Sequence, residues 1–242
     1  MSILPTRFSP EADEALVPCH LAVIVDGNRR WAQARHLPIV EGHRRGAANV
    51  CRLLSWSRDA GIRFVTVWLL SMKNLLRAPA ELRDLIQVIS DLVEDLACGV
   101  QYRLHHIGDP ASLPDSLVSV LSRAESATGA VEGMVVNLAV GYTGRQDILM
   151  AIQQVLDELS KSPDTAVSVT EGDISDHLFT GGQPDPELVI RTSGERRISG
   201  FMIWQAAEAE FLFSDKLWPD FTRSDFEDAL SDYSRRERRL GI

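Results

Sequence analysis

Short apolar runs rich in β-branched residues alternate with amphipathic stretches along almost the whole chain, and this alternation narrows the available folds more than any other feature. Leu21-Ala-Val-Ile-Val25 reads as a buried strand closed by Gly27. Ile62–Leu70, Tyr102–Ile107, Met134–Tyr142, Leu188–Arg191 and Phe211–Phe213 read as further strands. Between them lie helical patterns over about Arg45–Asp59, Glu81–Leu96, Asp115–Thr128, Gln146–Lys161, Glu171–Leu178 and Asp225–Arg238, with an irregular loop at His36–Val40. Gly61 fits a C-terminal cap, and Pro79 a first helical turn. Such alternation calls for an α/β fold: a central, mostly parallel sheet of about six strands flanked by helices. No linker-like shift in composition divides it. We expect a mobile N-terminal tail over residues 1–18 and a single domain over 19–242.

Polar clusters fall at the ends of four of these strands. They are Asp26-Gly-Asn-Arg-Arg30, Ser71-Met-Lys-Asn74 with Arg77, Tyr142-Thr-Gly-Arg145, and Arg191 with Arg197 and Ser199. In a parallel sheet every carboxyl end lies on one edge, so the clusters converge on one crevice. Several arginines there demand an anionic ligand with more than one phosphate group. Asp26 adds a hard oxygen suited to magnesium. Taken alone, Asp26–Arg30 is equally a surface turn with two solvated arginines. Nucleotide fingerprints (GxxxxGK[ST], GxGxxG) are absent, as are GxSxG and HExxH. Phosphates without a nucleotide signature, beside a long apolar helix, suggest a diphosphate head with an apolar tail.

Composition removes other classes. The net charge of −9, with no basic stripe, disfavours nucleic-acid binding. Cys19, Cys51 and Cys98 are widely spaced and lack a CxxC pair, which argues against a disulfide framework or zinc site and fits a reducing, cytoplasmic location. No apolar run reaches the roughly 18 residues a membrane-spanning helix needs, so no stable membrane anchor is expected.

Several segments carry a more specific resemblance: HLAVIVDGNRRWA, EGH, LLSMKNLLRAPAEL, NLAVGYTGR, PDPELVIRTSGERRISGFMIWQ and FLFSDKLWPDF. Collinear from about His20 to Gly241, they resemble the cis-prenyltransferases, the undecaprenyl diphosphate synthase family, and most of all its actinobacterial short-chain branch that makes Z-configured farnesyl-length products. The resemblance implies a magnesium-dependent homodimer with an apolar tunnel between sheet and helices. In the implied reaction an allylic diphosphate (dimethylallyl, geranyl or farnesyl) ionises, isopentenyl diphosphate attacks its C1, and proton loss leaves a Z double bond.

Carried over by position, the resemblance makes Asp26 the catalytic aspartate and a magnesium ligand. Gly27, Asn28, Arg29, Arg30 and Trp31, with His43, Ser71 and Arg77, belong to the allylic diphosphate site. Asn74 assists proton removal. Arg191, Arg197 and Ser199, with Arg239 and Gly241 of the C-terminal RxG reaching into the partner subunit's site, hold the second diphosphate. Glu210 is the second metal ligand. Leu85, Ile86 and Ile89 line the tunnel and stop chain growth early. Without the resemblance, His43 reads as structural, Glu210 as a surface residue, the leucine–isoleucine stripe as core, and Arg235–Arg239 as a solvated helix end. His105 and His106 match no motif and are taken as structural.

The chain departs from the family pattern at Ile39 (often arginine), Lys73 (a charge reversal), Leu75 (often tryptophan), Thr143 (glycine) and Glu208 (aromatic). Two further readings therefore stay open. One is a head-to-middle enzyme joining two allylic diphosphates into a lavandulyl-type product. The other is a non-catalytic partner subunit, although such subunits tend to lose the Asp-Gly-Asn-Arg and RxG residues retained here.

Overall fold

The computed structural model describes residues 17–161 and 168–236. Six strands form one sheet: β1 His20–Ile24, β2 Phe64–Ser71, β3 Arg103–Ile107, β4 Val135–Tyr142, β5 Leu188–Arg191 and β6 Glu210–Phe213. Their order is β3-β4-β2-β1-β5-β6, and every neighbouring pair is parallel. Seven helices connect and cover them: α1 Asn28–Ala34, α2 Ile39–Asp59, α3 Pro79–Gly99, α4 Asp115–Thr128, α5 Gly144–Ser160, α6 Glu171–His177 and α7 Arg223–Arg235.

Both faces of the sheet are buried, which is why its strands are apolar at odd and even positions alike. Leu21, Val23, Val65, Val67, Val136 and Leu138 point to one face, under apolar residues of α2, α3, α4 and α7. Ala22, Ile24, Ala139 and Val189 point to the other, where Phe201, Met202 and Ala206 cover them. On that second face α5 and α6 pack through Ala151, Val155, Ile174 and Leu178.

The expected α/β architecture holds, with one helix extended substantially. The loop expected at His36–Val40 is short: Pro38 caps α2, which starts at Ile39 rather than near Arg45 and runs through Gly42 and Gly46. Glycine ordinarily weakens a helix interior. Here it admits a neighbour, since a Cβ would stand 2.1 Å from the Asn28 carbonyl oxygen at Gly42 and 2.3 Å from Asn28 Oδ1 at Gly46. Elsewhere the observed boundaries move by a few residues, and α4 matches its expected span. The N-terminal tail expected over 1–18 falls almost wholly outside the described residues, as do Arg239 and Gly241.

The topology places a site at the end of β1. From β1 the chain moves to β2 on one side, whereas β4 leads to β5 on the other. The carboxyl end of β1 is thus where neighbouring connections part, the position at which open α/β sheets bind ligands.

Candidate active site

Asp26 lies two residues beyond β1, on a turn held from several directions. Thr192 Oγ1 donates to the Asp26 carbonyl at 2.7 Å and the Trp218 amide donates to it at 3.0 Å. Trp218 is itself fully buried, its indole N–H donating to the Gly46 carbonyl at 2.8 Å. Gly27 has φ of +114°, and a Cβ there would stand 3.0 Å from the Leu217 backbone, so the turn needs glycine.

A cavity of about 500 Å³ opens over this turn. Asp26, Gly27, Asn28, Arg29, Arg30, His43, Ser71, Asn74, Arg77, Arg191 and Ser199 all line it, as does Leu85. Val25, Trp68 and Leu69 add apolar wall, and Gln33 and Lys73 complete the polar part. Five cations face one carboxylate in this lining. Such a surface is built for an anion, and its apolar wall for a hydrocarbon.

The cations divide into two sets. On the β2 side, Arg29 Nε and Arg77 Nη1 each lie 3.2 Å from Glu81 Oε1, in the first turn of α3. On the β5 side, Arg191 donates through Nη2 to Asp26 Oδ2 at 2.8 Å and through Nη1 to Ser199 Oγ at 2.8 Å. It also donates to the Arg197 carbonyl. Between the sets, Arg30 donates to the Ser193 carbonyl at 3.1 Å and lies 3.7 Å from Asp26 Oδ1. Two cationic subsites therefore flank one carboxylate.

Several buried polar atoms here lack a hydrogen-bond partner: His43 Nε2, Arg77 Nη1, Arg191 Nε and Asn28 Oδ1. Buried polar groups are normally satisfied, and a polar ligand would satisfy the nitrogens among them. Burial, with Arg77 and Arg29 nearby, lowers the His43 pKa to about 4, so the ring is neutral at pH 7. Burial also lowers the Arg77 pKa, an effect that Glu81 opposes.

Could these residues hold magnesium? Among the described residues, no group of three or more His, Cys, Asp or Glu forms a protein cage. Magnesium does not need one, because one carboxylate with waters and substrate phosphate oxygens suffices. Asp26 is partly exposed in the cavity, and its Oδ1 is only loosely engaged. The donor set fits an ion that shares Asp26 with a diphosphate.

Some expected site residues stand apart. Glu210 opens β6 in register with Leu188, itself paired with Leu21, so it lies at the sheet end opposite Asp26. At the strand rise the gap along the sheet is roughly 16 Å. Glu210 instead pairs with Arg236 at 2.6 Å. Within one chain the two carboxylates do not share an ion. Trp31 turns away, its indole N–H donating to Asp220 Oδ1 at 2.7 Å under the Arg35 guanidinium. The Arg197 side chain is exposed and pairs with Glu195, and only its carbonyl serves the site. Of the expected tunnel residues Leu85 reaches the cavity, while Ile89 is buried in the core and Ile86 packs against it.

The fold has close counterparts. The undecaprenyl diphosphate synthase prenyltransferase model matches residues 24–241. The chain belongs to the cis-prenyltransferase family. It is 44% identical to the (2Z,6E)-farnesyl diphosphate synthase of Mycolicibacterium smegmatis, over the full length of both. It is also 44% identical to isoprenyl transferase 1 of Streptomyces avermitilis, covering 97% of this chain and 93% of that one. Lavandulyl diphosphate synthase from Lavandula x intermedia, solved with dimethylallyl diphosphate, superposes with a TM-score of 0.90 at 34% identity, covering 95% of this chain and 100% of that one.

Residues not singled out from the sequence organise this cis-prenyltransferase site. Glu81 ties two arginines together, yet a glutamate in a first helical turn is an ordinary N-terminal residue. Thr192 and Trp218 hold the Asp26 turn from more than 160 positions away, beyond any local pattern. Ile39, one of the departures from the family pattern, lines a neighbouring chamber of about 210 Å³ shared with His43, Glu81 and Asp84. Among the described residues, no helix is long and apolar enough to cross a membrane.

Proposed function

We propose that this prenyltransferase is a short-chain cis-prenyl diphosphate synthase that condenses an allylic diphosphate with isopentenyl diphosphate, head to tail. The observation that carries this reading is the pair of cationic subsites flanking Asp26 in one cavity with an apolar wall. The allylic diphosphate takes the β2-side subsite of Arg29, Arg77 and His43, with its hydrocarbon toward Val25, Trp68 and Leu85. Isopentenyl diphosphate takes the β5-side subsite of Arg191 and Ser199.

The reaction breaks the allylic C1–oxygen bond, and the departing diphosphate keeps the electron pair. The double bond of isopentenyl diphosphate attacks C1, a proton leaves its C2, and a Z double bond remains. Arg29, Arg30 and Arg77 meet the charge that grows on the leaving group, in positions set before reaction begins. Asn74 orients rather than accepts the proton, because a neutral amide is too weak a base and its Oδ1 already receives the Ser71 amide at 3.0 Å. Neutral His43 offers a ring nitrogen without adding a second proton to the pocket. Asp26 would hold a magnesium ion, which when bound would supply further positive charge to the leaving group.

The active form is a homodimer. Leu149, Ile152 and Leu156 make an exposed apolar stripe on α5, and β6 leaves one edge open with Phe213 exposed at its end. Sedimentation of the full chain checks this, and a monomer at micromolar concentration would overturn it.

The deciding assay supplies magnesium and dimethylallyl or geranyl diphosphate, alone and then with isopentenyl diphosphate. A linear Z product formed only from the pair supports the reading. A branched product without isopentenyl diphosphate would establish the head-to-middle reaction instead, and no turnover of any pair would leave a non-catalytic subunit. A chelator in excess should abolish turnover reversibly.

A further inference from the structure

We propose that Lys73 is a substrate-binding residue, whose ammonium captures the allylic diphosphate at the cavity mouth. The inference rests on the allylic assignment of the β2-side subsite.

The argument is one of charge availability. Every arginine in the cavity lining is already engaged. Arg191 is bound to Asp26, and Arg30 is shared by Asp26, Glu195 at 3.8 Å and the Ser193 carbonyl. Arg29 and Arg77 both face Glu81. A diphosphate recruiting these guanidinium groups meets the carboxylates they already face, although Arg77 Nη1 and Arg191 Nε still lack a hydrogen-bond partner. Lys73 lines the same cavity, is exposed, and among the described residues has neither an ion pair nor a hydrogen bond. Among the described residues, it is the cation in this lining that no carboxylate holds.

Its backbone is well placed for the task. Lys73 sits in the 3-10 turn Met72–Leu76, which a reciprocal cap fixes: the Asn74 amide donates to Ser71 Oγ at 3.2 Å and the Ser71 amide to Asn74 Oδ1 at 3.0 Å. The turn follows β2 and precedes Arg77, so Lys73 belongs to the β2-side subsite rather than to that of Arg191. A fixed stem with a free, flexible ammonium suits capture, while the planar guanidinium groups of the more buried Arg77 and Arg191 suit alignment. Ile39 lines the neighbouring chamber and brings no cation, so Lys73 restores positive charge to this side from the mouth.

The test compares Lys73→Gln and Lys73→Arg with the parent enzyme, using geranyl diphosphate and isopentenyl diphosphate. The expected result for Lys73→Gln is an allylic KM raised about tenfold, with the isopentenyl KM and kcat within about twofold, as for loss of one charge-assisted contact to a bound anion. Lys73→Arg should recover most of the allylic affinity, and the salt dependence of kcat/KM for geranyl diphosphate should weaken in Lys73→Gln. An unchanged allylic KM, a change confined to the isopentenyl KM, or no recovery with arginine would each overturn the proposal. Binding of inorganic diphosphate, followed by calorimetry, is read in parallel. Weaker binding to Lys73→Gln in a chain that turns over no allylic substrate would sink the reaction assigned above but keep the capture role. Equal binding to parent and variant would sink the capture role itself.

Discussion

Arg191 on β5 donates through Nη2 to Asp26 Oδ2 at 2.8 Å, linking the second subsite directly to the central carboxylate. The Arg191 side chain is only 5% exposed, whereas that of Asp26 is 33% exposed. The aspartate is therefore the member of the pair that a substrate can reach. Any ligand drawing on Arg191 also changes the charge felt at Asp26, which couples occupation of the two subsites.

This geometry separates two substitutions of the aspartate. Asp26→Asn keeps an oxygen for Arg191 and should fold normally, with turnover reduced at least about a thousandfold through lost leaving-group stabilisation. Asp26→Ala should also be inactive, and should melt lower because Arg191 loses its counter-ion. Product assays with thermal melts monitored by circular dichroism distinguish the outcomes. Substantial turnover by either variant would show that Asp26 is not central.

Product length should respond to Leu85 and not to Ile89. Leu85 lines the cavity, so Leu85→Ala opens space along the hydrocarbon wall and should give longer products by chromatography. Ile89 is 2% exposed within the core, and Ile89→Ala should cost about 2–5 kcal/mol of stability with product length unchanged. Longer products from Ile89→Ala alone would place the closing wall elsewhere.

Acid should destabilise the protein through His20. Its Nδ1 lies 2.7 Å from the Pro184 carbonyl and its Nε2 2.7 Å from Thr66 Oγ1, an arrangement that fits the neutral tautomer with its proton on Nδ1. Burial lowers its pKa from 6.5 to about 4 despite the Pro184 bond. The unfolded chain then binds the proton first as pH falls, so this stability is whole above about pH 6.5 and is lost progressively toward pH 4. The loss is about 3 kcal/mol. Urea unfolding across this window should show the slope, and His20→Asn should reduce it, with His43 supplying a further part.

Gly46 offers a test of Asn28 that leaves the catalytic groups untouched. Gly46→Ala favours helix by about 1 kcal/mol in isolation. Its Cβ would nonetheless meet Asn28 Oδ1 at 2.3 Å and force that side chain from its place in the cavity. The expected outcome is a folded protein with kcat/KM lowered about tenfold or more. Full activity would mean that Asn28 has no positioning role.

Much of the site was legible because strand ends in a parallel sheet share an edge. Once the runs ending at Asp26, Ser71, Tyr142 and Arg191 were read as strands, their polar tails had to meet; three of them do, while Tyr142, Thr143 and Arg145 stand outside the cavity lining. Glu210 stands away from Asp26 within one chain by the same geometry, since it opens a strand instead of closing one. Arg197 and Trp31 sit beside true lining residues yet turn outward, drawn by Glu195 and Asp220. Adjacency in sequence does not set the direction of a long side chain. The start of α2 was missed because the stretch from His36 to His43, with Pro38 and Gly42 in it, reads as irregular, whereas Pro38 caps the helix and Gly42 lets it press against the Asn28 backbone.

By itself the amino-acid sequence determined the alternation of strands and helices, the edge on which the polar groups gather and, through its motifs, the family. These follow from local periodicity and from the shared polarity of parallel strands. Only the tertiary structure decided which charges are engaged and which are available: Arg191 with Asp26, Arg29 and Arg77 with Glu81, and Lys73 with nothing among the described residues. Those pairings depend on which counter-ion the folded backbone brings within a few ångströms, and that distance is not written in any local stretch of the chain.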